Sequence, residues 1–121
     1  MDYSVLYLNA DRAGNAAVAS LEVVPMVVQE RYNPLDDGSP VKRQYVVDDG
    51  PCGFAAVIVR DIKFANALKA AGIGRKNYGA GYRINVSQFN QSLQKKEAYA
   101  EAFAKVLNES GIRAYAESRM D

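Results

Sequence analysis

Apolar positions along this chain follow two different periods, and each change of period marks the edge of an element. Phe64, Ala67, Leu68 and Ala71 fall at i, i+3, i+4 and i+7, one face of a helix. Asp61 is placed to cap its N-terminus. A longer helix is expected from about Ser92 to Ser110, with Tyr99, Phe103, Val106 and Leu107 as its buried stripe. Tyr82, Ile84 and Val86 alternate with Arg83, Asn85 and Ser87, the period-two pattern of a strand with one wet face. Phe54 to Val59 is apolar almost throughout, which suits a central strand buried on both faces.

The first half is patterned less clearly. Tyr3 to Leu8 has the aromatic and β-branched content of a short strand, and Asp11 to Asn15 supplies turn residues. Leu21 to Val24 and Met26 to Gln29 favour strand, with Pro25 splitting the run or marking an edge. Asn33 to Pro40 is the clearest loop, Val41 to Asp48 returns as an antiparallel strand, and Asp48-Asp49-Gly50-Pro51 turns again. Arg113 to Glu117 reads as a last strand and Ser118 to Asp121 as a polar tail.

One stretch repeats. Phe64-Ala65-Asn66-Ala67-Leu68-Lys69-Ala70-Ala71-Gly72-Ile73 shares a Phe-Ala-x-(Ala/Val)-Leu-x-x-x-Gly-Ile pattern with the ten residues from Phe103 to Ile112. Each copy describes the end of a helix, a glycine stop and a chain returning to a sheet, with Gly72 and Gly111 in the left-handed position. The expectation is a single α+β domain over residues 1–121: two layers, a mixed β-sheet with two helices packed on one face, loosely ferredoxin-like. A three-layer arrangement is the alternative, which two helices would cover poorly.

Composition narrows the chemistry. With 121 residues the chain is long enough for one core, and no apolar run approaches the roughly 20 residues of a membrane helix. Met1-Asp2-Tyr3 lacks the basic start of a secretory signal, and the lone Cys52 fits a reducing compartment, so the expectation is a cytoplasmic protein. The absence of histidine removes Ser-His and Cys-His nucleophile activation and most zinc sites. Cys52 is expected to be half-buried beside the apolar strand. The pairs Asp36-Asp37 and Asp48-Asp49 lack the ligand spacing of a calcium loop and suit turns on backbone grounds, so neither a metal nor a cofactor is expected. The net charge of +1 conceals an asymmetry: residues 1–59 carry four bases against eight acids, and residues 60–121 eleven bases against six acids. Such a division suits a nucleic-acid face or a self-complementary surface.

The best candidate for binding is the glycine-rich segment from Gly72 to Arg83, in which Arg75, Lys76 and Arg83 alternate with Tyr78 and Tyr82. Cations and amides there suit phosphates, and a ring suits a base. It is neither a Walker A loop nor a dinucleotide fingerprint, since a strand rather than a helix follows. Between the rings, Tyr82 shares its face with Ile84 and Val86, so Tyr78 is the one expected to be free; the site is Arg75, Lys76, Tyr78 and Arg83. Without a partner, the segment reads as a flexible connection. Gly53-Phe54-Ala55-Ala56-Val57-Ile58-Val59 resembles part of the core strand of RNA-recognition motifs, and Leu6-Tyr7-Leu8-Asn9 its partner strand. Cys52 replaces the basic residue of that pattern and Ala56 its second stacking ring, so only the idea of an open sheet face carries over.

Gly53-Phe54-Ala55, Asn90-Gln91-Ser92, the segment from Lys96 to Ala104 and the segment from Gly111 to Arg119 resemble small uncharacterised proteins of phage and metagenomic origin, over residues 53–121. The resemblance implies a short accessory protein made in a bacterial cell, and no catalytic residues. The leading expectation is a phage-associated protein that binds a macromolecular partner, nucleic acid or a host protein. A homo-oligomeric structural module is the alternative, and self-association is expected from the candidate strand edges, near-neutral net charge and opposite-signed halves. An enzyme working through carboxylates, Tyr and Lys is the third reading, with no acid in a recognisable setting.

Overall fold

The computed structural model describes every residue from Met1 to Asp121, in the order α1 (Tyr3–Ala19), β1 (Met26–Arg31), β2 (Val41–Val47), β3 (Gly53–Val59), α2 (Ile62–Ala70), β4 (Arg75–Lys76), β5 (Tyr82–Asn85), α3 (Leu93–Glu109) and β6 (Ala114–Met120). The fold is α+β. Its four-stranded sheet has the order β4-β5-β3-β6 and is antiparallel at every step, not mixed. From Gly53 onward the elements run β-α-β-β-α-β, the sequence of a split β-α-β motif. The extra strand is β4, only two residues long and hidden in the glycine-rich segment, where no periodicity could develop.

The repeat does what its spacing implies. Both helices end in a Schellman cap: the Ile73 N–H donates to the Leu68 carbonyl and the Ile112 N–H to the Leu107 carbonyl, each at 2.9 Å. Gly72 and Gly111 sit at φ 74° and 84°, where a β-carbon would be strained although nothing crowds it. Asp61 caps α2, accepting the Phe64 N–H at 2.8 Å. Phe64, Leu68, Phe103 and Leu107 are all buried in one core with Ala55, Val57 and Val59 of β3, so α2 and α3 cover the same face of the sheet.

A third helix joins them, and here the expected strand at Tyr3–Leu8 and turn at Asp11–Asn15 are corrected. Residues 3–19 are one continuous helix. Asp2 caps it by accepting the N–H groups of Ser4 and Val5 at 3.0 and 3.2 Å. Leu6, Ala10 and Gly14 form its buried stripe, packed along α3. The strand propensity of Tyr3 and Tyr7 yields to what their rings meet: Tyr3 lies edge-on to Phe64 at 5.5 Å and Tyr7 edge-on to Phe103 at 5.4 Å. Gly14 is small because the Tyr99 ring lies where its β-carbon would be.

β1 and β2 form a separate antiparallel ribbon, with Pro25 just before its first residue. Few ties fasten it to the body. Gln94 holds Val24 by two side-chain-to-backbone hydrogen bonds of 2.8 and 2.9 Å, and Lys95 pairs with Asp49 at 2.9 Å. Asp48 and Asp49 occupy a turn, as their type favours. Cys52 is exposed rather than half-buried. The expected polar tail is also corrected, since β6 continues through Ser118 and Arg119 to Met120. No helix is long and apolar enough to cross a membrane.

Candidate nucleic-acid interface

Alternation along three paired strands builds the site. On β3, Ala55, Val57 and Val59 enter the core beneath the helices, so Phe54, Ala56 and Ile58 point to the opposite face. Pairing extends this face sideways. Ile58 lies between Arg83 and Tyr115, Ala56 between Asn85 and Glu117, and Phe54 beside Arg119. Arg75 of β4 is opposite Arg83. No helix covers this side. Its apolar positions, Ala56 and Ile58, are nevertheless fully buried, Ile58 with its side chain close against Gly81.

Part of this face forms a groove of about 580 Å³, lined by Phe54, Arg75, Tyr78, Arg83, Asn85 and Arg119 among others, within the size range of small-ligand clefts. Tyr78 is 89% exposed, with the guanidinium groups of Arg75 and Arg83 each 5.8 Å from its ring centre. At the other end Arg119 lies 4.9 Å from the ring centre of Phe54, and Lys96 of α3 approaches the same ring at 5.7 Å. Within the groove, three arginines thus face a single carboxylate, Glu117, beside two aromatic rings.

The segment that presents Tyr78 is braced rather than flexible. The Asn77 side chain donates to the Ala80 carbonyl at 3.0 Å and accepts from Arg83 at 3.0 Å, while the Asn77 N–H donates to the Gly81 carbonyl at 3.1 Å. Arg83 also donates to Asn85 at 3.0 Å and lies 3.6 Å from Glu117, leaving its side chain only 14% exposed. Arg83 is therefore a positioning residue for the loop, and Arg75 and Arg119 are the guanidinium groups open to a ligand.

Of the four residues singled out in the sequence, the structure brings Arg75, Tyr78 and Arg83 together. Lys76 is separated from them. It is one residue on from Arg75 in a strand, so it projects to the other side, beside Ala65, Asn66 and Lys69. Tyr82 is packed against the core and donates to the Ile73 carbonyl at 2.7 Å, so the free ring is Tyr78. No protein-family model, curated protein or solved structure matches this chain. Sequence reasoning missed Phe54, Asn85 and Arg119 as members of the site. The signal was available for two of them: Phe54 is the only large ring on the alternate face of its strand, and Asn85 follows Arg83 at a spacing of two.

Proposed function

We propose that this protein binds single-stranded nucleic acid across the open face of its four-stranded sheet. The observation that carries the reading is the groove in which Arg75 and Arg119 flank the rings of Tyr78 and Phe54. Guanidinium groups neutralise phosphates, rings and guanidinium planes stack on unpaired bases, and Asn85 offers both a donor and an acceptor to a base edge. A duplex keeps its bases stacked inside and offers no ring to this surface, so single strands are the preferred class. In this reading residues 53–120 act as a ferredoxin-like module whose helices close one face and leave the other for the ligand. The setting we propose is the bacterial cytoplasm, where a phage-associated accessory protein would act by occupying its partner rather than by transforming it.

Fluorescence anisotropy with mixed-sequence single-stranded DNA and RNA at low salt tests this. Binding should weaken steeply with added salt as phosphate contacts release counterions. Arg119→Ala and Arg75→Ala should each lower the salt slope by about one, and Tyr78→Ala should cost about 1–3 kcal/mol of affinity. Lys76→Ala, on the other side of β4, should change affinity less than either arginine variant. Folded protein that fails to bind, or that binds equally well without Arg75 and Arg119, would overturn the proposal.

A further inference from the structure

The four-stranded sheet ends on one side in β4, two residues long, and on the other in β6, seven residues long. Short edges protect themselves; long ones need a cover. The hydrogen-bond parity of β6 shows which of its groups are free. The Arg60 N–H donates to the Arg113 carbonyl and the Asp121 N–H to the Cys52 carbonyl, so residues 113, 115, 117, 119 and 121 turn their backbone groups toward β3. Ala114, Ala116, Ser118 and Met120 turn theirs outward. Asn108 satisfies Ala114, donating to its carbonyl at 2.8 Å and accepting its N–H at 3.0 Å. No protein group takes up the N–H and C=O of Ala116, Ser118 and Met120.

We propose that this edge pairs with the same edge of a second copy of the chain, antiparallel about a two-fold axis through Ser118. That register joins the three free residues to their counterparts, Ala116 to Met120 of the partner subunit and Ser118 to itself, with about six backbone hydrogen bonds. It also sets Glu117 directly opposite Arg119 of the partner subunit, and Arg119 opposite the partner's Glu117. These are non-hydrogen-bonded positions, where side chains approach most closely, and opposite charges there favour the pairing. On the helix side the register matches Ala116 with Met120 of the partner subunit, an apolar pair. Centring the axis two residues earlier would instead set Arg119 opposite the partner's Arg113 and enlist Ala114, whose backbone is already held by Asn108. The chain is thus self-complementary in one register. The two open faces would form one continuous surface across the axis, with Arg119 and Glu117 of each copy at its centre.

The test is made without nucleic acid, so its outcome is independent of the ligand proposed above. Sedimentation equilibrium of the full chain should show a reversible dimer. Glu117→Arg should weaken it roughly tenfold or more, because two favourable pairs become repulsive. The double exchange Glu117→Arg with Arg119→Glu should restore it, since the pairing is recovered with the charges swapped. Ser118→Pro should abolish it while leaving the internal ladder intact, because the N–H it removes points outward. Circular-dichroism melts establish that each variant is folded. A monomer at all concentrations, or a dimer indifferent to Glu117→Arg, would overturn the proposal, as would a double exchange no better than the single one.

Discussion

The two faces of the four-stranded sheet are built from alternate residues of the same strands, yet they are made to different rules. Along β3, Ala55, Val57 and Val59 lie under three helices, while Phe54, Ala56 and Ile58 face away. Ala56 and Ile58 are as deeply buried as their neighbours. What differs is the material that buries them. On the helix side it is Phe64, Leu68, Phe103 and Leu107, fixed in a packed core; on the open side no helix contributes, and the positions flanking Ala56 and Ile58 on the neighbouring strands are Arg83, Asn85, Tyr115 and Glu117. One face is closed by packed helices, and the other sets polar side chains beside its buried apolar positions. Burial alone therefore does not identify a core; the chemistry of the covering groups does.

The largest effect should come from emptying the helix side. Phe103 is fully buried and meets Tyr7 at 5.4 Å and Tyr99 at 5.8 Å, joining α1 to α3 and the sheet. Phe103→Ala removes a large apolar side chain from a site that packed rings cannot refill, and the expected loss is about 3–5 kcal/mol. Chemical denaturation followed by circular dichroism measures it. A loss under about 1 kcal/mol would mean that this face is no more tightly packed than the other.

A smaller effect distinguishes a polar contact on the helix side. Tyr99 donates a short hydrogen bond to Asp11, which ties α3 to α1. Burial first, and then this bond, push the Tyr99 hydroxyl above its ordinary range; burial and the Asp11 charge act likewise on Tyr7. The unfolded chain ionises its tyrosines near pH 10, whereas the folded chain keeps these two protonated further up. Above about pH 10 the unfolded state therefore binds fewer protons than the folded state, and stability should decline as pH rises. Tyr99→Phe should cost about 1–2 kcal/mol at neutral pH, through the lost bond to a carboxylate, and should flatten the alkaline decline. Thermal melts from pH 8 to 11 on both proteins check the sign. An unchanged slope in the variant would remove Tyr99 from this role.

How much of this was legible before the structure depended on how local each signal is. The glycine caps, the Asp61 cap and the inward turn of Tyr82 were legible because each is settled within one helical turn or one strand. Helix α1 was not. Its stripe of Leu6, Ala10 and Gly14 is mostly small residues, meaningful only once the Tyr99 ring, some eighty positions later, is known to lie against Gly14. The separation of Lys76 from Arg75 depended on a two-residue strand that no periodicity can reveal. Arg119 reads as tail in the sequence because the end of β6 alternates Ser, Arg and Met with no apolar face of its own; it is in a strand because β3 offers it an edge.

The smallest expected change in stability belongs to Arg119, and its size is what gives the comparison its force. Arg119 is exposed, and its contact with the fold is the face of the Phe54 ring, itself 42% exposed. An exposed cation–π contact contributes about 0.5–1 kcal/mol, and the aliphatic stem adds little where water already reaches the ring. Arg119→Ala should therefore lower the unfolding free energy of the monomer by about 0.5 kcal/mol, measured at a concentration well below that at which copies pair. The same substitution removes one of the two open guanidinium groups of the groove and the positive member of the charge pair proposed for the β6 edge. A residue that contributes so little to its own fold, yet sits where both proposed partners would contact it, fits the binding surface proposed above better than a structural role. If Arg119→Ala instead destabilised the chain by several kcal/mol, as Phe103→Ala should, Arg119 would be a structural cover for Ile58 and Ala56, and the open face would be a second core.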